Sequence, residues 1–293
     1  MFEIIDVKVQ GFCKGVQRAI DQAMAAANHE KAEEPITVLG SLVHNRYVNE
    51  TLEAQGLTVL EAKGKTRLEL LDEIDAGTVI FTAHGVSQAV RQKAEDKGLK
   101  VIDASCPFVL ATQRLIDQKL SEGYTILYCG KKGHPEAEGA TQSRSPVYLI
   151  ETEQDLPDSI EGPIFVTNQT TMSMLDLSWL FEAIQSRYPQ AEFCNEICNA
   201  TRVRQQAVLD LKGQNVDLLV VVGDPASNNT RKLAQIGQSI GIEKVVLVEQ
   251  ADRLDPSAFD GIQKAAITSG ASTPGDIKNE VLEKMKDISA HQN

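Results

Sequence analysis

The 293-residue chain is poor in aromatic residues, has no long apolar run and has no excess of basic charge. It carries 29 Lys and Arg against 41 Asp and Glu, a formal net charge of −12, which argues against nucleic acid or an anionic membrane as a partner. The longest apolar runs, such as 218–222, are too short to span a bilayer. The first ten residues lack the pattern of a signal peptide, and we expect a cytoplasmic protein.

Cysteine is also scarce, and the five thiols are expected to be reduced, either buried or holding a metal. Cys106 lies 93 residues after Cys13, and Cys198 lies 92 residues after Cys106. This period predicts a threefold internal repeat. Cys129, inside the apolar segment TILYC, and Cys194 lie outside the repeat, and we interpret both as structural residues.

A predicted strand precedes each of the three regularly spaced cysteines, and a segment with apolar residues at helical spacing follows each of them. Two strand-like segments, each ending in a polar loop, then follow in every third: ITVL and VIFT, TILYC and IFVT, DLLVVV and AAIT. Alternating strands and helices predict an α/β fold of three similar small domains, with mostly parallel sheets in a pseudo-threefold arrangement. The predicted domains are 14–105, 106–197 and 198–285, the last with an N-terminal strand from 1–13, and a tail covers 286–293.

The cysteines of the repeat form a candidate metal site, because the N-terminus of a helix favours a thiolate. Three equivalent thiolates, from Cys13, Cys106 and Cys198, would make a site with three protein ligands. A structural zinc would normally recruit a fourth protein ligand, whereas an iron–sulfur cube with three thiolates leaves one iron open to a substrate. We favour the iron–sulfur cluster, and a zinc-held or metal-free binding module is the alternative.

The polar loops hold further candidates, because ligands of such sheets bind beyond the carboxyl ends of the strands. Three histidines in these loops are predicted to contact a ligand: His44, His84 and His134. Neutral donors at the starts of helices can hold a phosphate. Donors of this kind follow two strands of the last third: Ser227, Asn228, Asn229 and Ser272.

A carboxyl group in the second third is the best candidate for a proton donor. Glu136 lies two residues after His134, and a carboxyl beside Thr170 or Gln169 could relay protons into a dry pocket. Glu138 is the competing candidate, which the sequence alone separates only weakly from Glu136.

At these residues the sequence resembles the family of 4-hydroxy-3-methylbut-2-enyl diphosphate reductases, also called IspH or LytB. The matching stretches run in family order along nearly the whole chain: GFCKGVQRAI (11–20), VHNRYV (43–48), AHGVSQAV (83–90), DASCPFV (103–109), GHPEAEG (133–139), NQTTMS (168–173), NEICNAT (195–201) and GAS (270–272). Together these motifs are far more specific than any one of them alone.

The resemblance implies three α/β domains around a central [4Fe–4S] cluster, which Cys13, Cys106 and Cys198 hold and which keeps one open iron. The implied reaction is a two-electron reductive dehydroxylation in the non-mevalonate isoprenoid pathway, with isopentenyl and dimethylallyl diphosphate as products. The implied electron donor has a low potential, as ferredoxin or flavodoxin does.

The resemblance also implies roles for the loop residues. Glu136 would protonate the leaving hydroxyl, with Thr170 and His134 beside it in the catalytic set and Gln169 among the substrate contacts. The donors implied for the diphosphate are His44, His84, His134, Ser227, Asn228, Asn229 and Ser272.

Four positions depart from the pattern of the family. Asn228 stands where a serine is common, and Asp224 adds a negative charge nearby. Asn199 stands where an aromatic residue often follows the third cysteine, and Ser105 replaces the usual threonine beside the second. These departures leave one alternative open, a paralogous iron–sulfur reductase or lyase that acts on another small phosphorylated or carboxylated alcohol.

Overall fold

The computed structural model describes residues 1–29, 34–62 and 64–291, and the chain divides into two compact units. Unit 1 contains Met1–Lys14, His44–Arg46 and Cys198–Asn293. Unit 2 contains Gly15–Val43 and Tyr47–Ile197. In the described part of the chain, no helix is long and apolar enough to cross a membrane.

Short strands alternate with helices along the chain. The strands are β1 (Glu3–Asp6), β2 (Ile36–Leu39), β3 (Thr58–Leu60), β4 (Thr78–Phe81), β5 (Lys100–Asp103), β6 (Thr125–Cys129), β7 (Val147–Ile150), β8 (Ile164–Asn168), β9 (Glu192–Phe193), β10 (Leu218–Val222), β11 (Lys244–Val248) and β12 (Lys264–Ser269). The helices are α1 (Lys14–His29), α2 (Arg46–Ala54), α3 (Arg67–Leu70), α4 (Gln88–Asp96), α5 (Pro107–Ser121), α6 (Pro135–Thr141), α7 (Met174–Arg187), α8 (Asn199–Leu209), α9 (Asn228–Ser239) and α10 (Gly275–His291).

Each predicted third contains one parallel sheet, and the three sheets share one strand order. Unit 1 has the sheet β1-β12-β10-β11, and unit 2 has the sheets β3-β2-β4-β5 and β7-β6-β8-β9. The nine strand pairs that the described residues form are all parallel. The α/β class with parallel sheets is therefore confirmed, while the domain boundaries stay predictions.

The two central strands of each sheet are buried along their whole length or nearly so, because apolar side chains pack on both faces. In unit 1, Val220 and Ile267 belong to the core on one face, and Leu219 and Ala266 belong to the core on the other. This pattern is expected of parallel strands with helices on both sides. The buried central strands therefore fix the positions at which the polar loops begin, at the carboxyl ends of the strands.

The structure differs from the sequence interpretation in two details. Three strands were not predicted, β3, β7 and β11, and each forms the edge of its sheet. Helix α10 also continues through His291 and so includes residues 286–291 of the predicted tail, whose last two residues lie outside the described ones. Ile288 is buried there, and the Ser289 hydroxyl donates a hydrogen bond to the Phe2 carbonyl, which explains why the helix is held to its end.

Candidate active site

All three cysteines of the repeat lie at the starts of helices, as the spacing predicts. Cys106 and Cys198 are the N-cap residues of α5 and α8, and Cys13 directly precedes α1. The three thiols are half-buried, and no disulfide joins the five cysteines. Thiolate sulfur is the soft ligand that iron–sulfur clusters require, and the N-terminus of a helix favours a thiolate.

Two of these cysteines are fixed against loops that carry other predicted residues. In unit 1, the Cys13 amide donates to the carbonyl of Ala271, next to Ser272, at 3.1 Å. In unit 2, the Cys106 amide donates to the carbonyl of Ala83, next to His84, at 2.9 Å. The same backbone contact thus ties a thiol to a strand-end loop in each unit.

Within unit 1, Ser272 connects the loops that were predicted to hold an anion. Its hydroxyl lies 3.1 Å from the carbonyl of His44, to which it donates, and 3.5 Å from the hydroxyl of Ser227. His44, Ser227 and Ser272 are therefore neighbours.

The first turn of α9 adds two buried amides to this group. Ser227 caps the helix by accepting a hydrogen bond from the Thr230 amide, and Asn228 and Asn229 are each 5% exposed. Among the described residues, neither the Nδ2 nor the Oδ1 atom of Asn229 has a hydrogen-bond partner. An unsatisfied buried amide costs about 1–3 kcal/mol, so this side chain is poised for a polar ligand at a helix N-terminus.

Two glycines allow the strand-end loops of unit 1 to close around α9. A Cβ on Gly223, where φ is +144°, would lie 2.7 Å from the Thr230 hydroxyl, and one on Gly270 would lie 2.3 Å from it. A larger residue at either position would therefore force the Thr230 side chain to move. The carboxylate of Asp224, in the loop that begins at Gly223, accepts hydrogen bonds from the backbone amides of Arg46 at 3.1 Å and Ala226 at 2.6 Å.

Unit 2 contains the candidate acid. Glu136 is only 3% exposed, and its carboxyl accepts hydrogen bonds from the Thr170 amide at 2.7 Å and the Thr170 hydroxyl at 3.1 Å. Burial raises the pKa of Glu136 to about 7, against the opposing effect of the two hydrogen bonds from Thr170. A carboxyl group with this pKa holds a proton that it can give up near neutral pH.

Two histidines accompany Glu136 in unit 2. The rings of His84 and His134 meet edge to face, with their centroids 5.5 Å apart. His134 caps α6, and its Nδ1 atom accepts the Glu136 amide at 3.1 Å. Because a backbone amide can only donate, Nδ1 carries no proton, and the Nε2 atom of His134 is therefore a hydrogen-bond donor.

The other candidates of unit 2 have partners that indicate supporting roles. Gln169 is fully buried, and its side chain accepts the Lys131 amide at 3.0 Å and donates to the Thr171 hydroxyl at 2.9 Å. Glu138 accepts the Arg67 amide at 2.8 Å and lies 3.8 Å from the Arg67 guanidinium. Glu138 thus belongs to a half-buried ion pair, which favours Glu136 as the acid.

The remaining two cysteines lie where a structural role is expected. Cys129 is fully buried in the core beside β8, and burial raises the pKa of its thiol to about 12. Burial and the neighbouring carboxylate of Glu196, to which the thiol donates at 3.0 Å, raise the pKa of Cys194 to about 11. Both groups therefore stay protonated at neutral pH, unlike a metal-ligating thiolate.

The raised pKa of Glu136 predicts a pH dependence of stability. Its contribution to the free energy of unfolding is fully present below about pH 4.5 and is lost as the pH rises through about 7. Relative to Glu136→Gln, the wild-type metal-free protein should lose about 3 kcal/mol between pH 4.5 and pH 8, at about 1.4 kcal/mol for each pKa unit. Urea unfolding at both pH values measures this difference, and the same comparison with Glu182→Gln provides the reference for an exposed side chain.

Two buried arginines of the site were not predicted from the sequence. In unit 2, Arg67 pairs with Glu138. In unit 1, Arg204 lies near Cys13 and Cys198. Arginine is rarely buried, and nothing in the sequence around Arg67 or Arg204 distinguishes either residue from an exposed arginine.

Comparison with known proteins places nearly the whole chain in one family. The model of the LytB protein family matches residues 4–286. A relative from Symbiobacterium thermophilum, named 4-hydroxy-3-methylbut-2-enyl diphosphate reductase, is 46% identical over 96% of both chains. A relative of the same name from Bacillus cytotoxicus is 47% identical over 96% of this chain and 89% of its own.

Solved structures of the same kind of enzyme share the fold. The E-1-hydroxy-2-methyl-but-2-enyl-4-diphosphate reductase of Plasmodium falciparum superimposes with a TM-score of 0.88 at 30% identity, over 96% of this chain and 87% of that chain. A structure described as (E)-4-hydroxy-3-methyl-but-2-enyl diphosphate reductase, the terminal enzyme of the non-mevalonate pathway, gives 0.66 at 30% identity, over 98% and 100%. The resemblance indicated by the motifs is confirmed, and the chain belongs to the LytB family.

Proposed function

We propose that this chain is an iron–sulfur reductase that converts 4-hydroxy-3-methylbut-2-enyl diphosphate to isopentenyl and dimethylallyl diphosphate. The reaction breaks the bond between carbon and the hydroxyl oxygen, consumes two electrons and two protons, and releases water. Family membership supports the activity, and the buried pair of Glu136 and Thr170 is the observation within the site that carries it. The alternative substrate, another small phosphorylated or carboxylated alcohol, is not favoured by any relative described above.

We assign Cys13, Cys106 and Cys198 as the ligands of a [4Fe–4S] cluster. Three half-buried thiols at helix starts, with the buried cation of Arg204 beside two of them, suit an anionic cluster. When bound, such a cluster supplies electrons and one open iron that acts as a Lewis acid.

We assign Glu136 as the acid that protonates the hydroxyl group of the substrate as that group leaves. Hydroxide is a poor leaving group, so a positioned acid is needed. The Thr170 amide and hydroxyl fix both carboxyl oxygens of Glu136, and the burial that raises its pKa keeps the proton available near neutral pH. Gln169 fixes the adjoining Lys131 backbone and thereby the loop that precedes His134.

The diphosphate is assigned to neutral donors, since the chain is acidic overall. His134 offers its Nε2 proton, and α9 offers the positive end of its dipole. The full set of assigned diphosphate donors is His44, His84, His134, Ser227, Asn228, Asn229 and Ser272.

Replacing Asn229 by alanine should weaken substrate binding with little change in kcat. The amide of Asn229 has no partner among the described residues, so its loss removes a contact that only the ligand would make. We expect KM for the diphosphate to rise by about tenfold to a hundredfold, as for one hydrogen bond to a charged group. The exposed Asn279→Ala of the same unit serves as control, and an unchanged KM in Asn229→Ala would remove Asn229 from the diphosphate site.

The electron donor is proposed to be a low-potential protein such as ferredoxin or flavodoxin, because the cluster must be reduced before each turnover. Nucleic acid is not proposed as a partner, given the net charge of −12. A cytoplasmic location stays a prediction from the sequence.

An anaerobic assay with reduced viologen tests the proposed activity. The reconstituted protein should oxidise the viologen only when 4-hydroxy-3-methylbut-2-enyl diphosphate is added, and the two expected products should account for the electrons consumed. An iron-loaded protein that leaves this substrate unchanged, but reduces another alcohol from a panel of diphosphates and carboxylates, would replace the proposal with the alternative.

A further inference from the structure

Arg204 lies in α8 and links the two cysteine-bearing segments of unit 1. Its side chain is only 3% exposed. One guanidinium nitrogen, Nη2, donates to the carbonyl of Gly11 at 2.7 Å, and Nη1 donates to the carbonyl of Ala200 at 2.9 Å. Gly11 lies two residues before Cys13, and Ala200 lies two residues after Cys198, so one planar group fixes the backbone on both sides.

Two of the predicted cluster ligands are electrostatic neighbours of Arg204. Burial lowers the pKa of Arg204, and the electrostatic interaction with Cys13 and Cys198 opposes this shift. Among the described residues, its Nε atom is buried and has no hydrogen-bond partner. A buried guanidinium stays charged and is costly unless an anion lies near it, which points to a negative group at the two thiols.

We propose that Arg204 is a positioning residue that fixes the Cys13 and Cys198 segments and, through its buried charge, stabilises the reduced state of the cluster. This inference rests on the proposed cluster. Reduction adds one negative charge to the cluster, and a fixed cation in a medium of low dielectric constant favours the more negative state.

Arg18 of unit 2 provides a matched control within the same chain. Its guanidinium donates to the carbonyl of Ser105, the residue before Cys106, at 2.9 Å. Unlike Arg204, Arg18 is exposed, so water and salt screen its charge. Comparing variants of Arg204 and Arg18 therefore distinguishes the effect of a buried charge from the effect of a hydrogen bond beside a cysteine.

Redox titration of the reconstituted protein, followed by visible absorbance, tests the role of the charge. At the midpoint potential of the wild type, the ratio of reduced to oxidised cluster in Arg204→Gln should be lower by at least about tenfold. For a one-electron couple, this corresponds to a midpoint potential that is lower by about 59 mV. Arg204→Lys and Arg18→Gln should stay within about threefold of the wild type, because one keeps the buried charge and the other removes a screened one. An Arg204→Gln ratio within about threefold of the wild type, or an equal shift in Arg204→Lys, would overturn the proposal.

Release of iron to a chelator tests the positioning role and covers the case in which Arg204→Gln does not fold. A lysine cannot donate to both carbonyls in the fixed geometry of the guanidinium, so Arg204→Lys should lose iron about tenfold faster than the wild type. A wild-type release rate in that variant would overturn the positioning role. If the wild type itself holds no iron, the proposed function fails, whereas iron-loaded variants with wild-type behaviour contradict this inference alone.

Discussion

Replacing Cys106 by serine is expected to remove the iron and sulfide of the protein and to abolish its reductase activity. Cys106 is the N-cap of α5, half-buried, and its amide is fixed to the carbonyl of Ala83. A serine fits the same backbone, but its hydroxyl is not the soft, ionised ligand that an iron–sulfur cluster needs. Iron and acid-labile sulfide after anaerobic reconstitution should fall from about four of each per chain to about one or fewer.

Cys194→Ser is the matched control for this prediction. Cys194 is also half-buried, but it lies before α8 and its thiol donates to Glu196, a contact that a serine hydroxyl can keep. This variant should hold wild-type iron and turn over at the wild-type rate. Equal iron in Cys106→Ser and Cys194→Ser would show that the repeat of cysteines does not hold the cluster.

Replacing Glu136 by glutamine is expected to lower kcat by about 10²–10⁴-fold, the usual contribution of a positioned acid. Glutamine keeps the shape of the side chain and can still accept the Thr170 amide, so the fold and the binding of substrate should survive. Steady-state kinetics should therefore show a large loss in kcat at a nearly constant KM. In the wild type, activity should fall as the pH rises through about 7, where Glu136 loses its proton.

Glu138→Gln separates the two candidate acids. Glu138 lies two residues away on the same helix and pairs with Arg67, so its loss should disturb packing more than chemistry. We expect less than about a tenfold loss of kcat, the range of an indirect effect. A larger loss in Glu138→Gln than in Glu136→Gln would exchange the roles of the two residues.

Much of the fold could be predicted from the spacing of a few residues. The helix after each repeated cysteine is present, and the six apolar segments predicted as strands are the central strands of the three sheets. Buried parallel strands have continuous apolar runs, which makes them visible in a sequence. The unpredicted strands β3, β7 and β11 lie at sheet edges and are partly exposed, so their sequences lack that signal.

The site could be predicted less completely, because its electrostatics arise from contacts between distant residues. The sequence distinguished Glu136 from Glu138 only weakly. In the structure, Thr170 hydrogen-bonds to Glu136, whereas Arg67 pairs with Glu138. Arg204 received no role, since its contact with Gly11 spans 193 positions. Such contacts follow from tertiary packing and leave no local pattern.

The departures from the family pattern leave the structure of the site in place. Ser105 still donates its amide to Asp103 and accepts Arg18 through its carbonyl, so the segment before Cys106 is held through the backbone. Asn199 is exposed at the first position of α8. Asp224 is engaged by two backbone amides. We therefore expect these positions to adjust affinity and not the type of reaction.

The central claim is that the three repeated cysteines hold an iron–sulfur cluster, and the iron and sulfide content of the wild-type protein tests it most directly. Anaerobic reconstitution, removal of unbound metal and elemental analysis give the content per chain. The account predicts about four irons and about four acid-labile sulfides, as in a [4Fe–4S] cluster. One zinc without sulfide, or no metal at all, would contradict it.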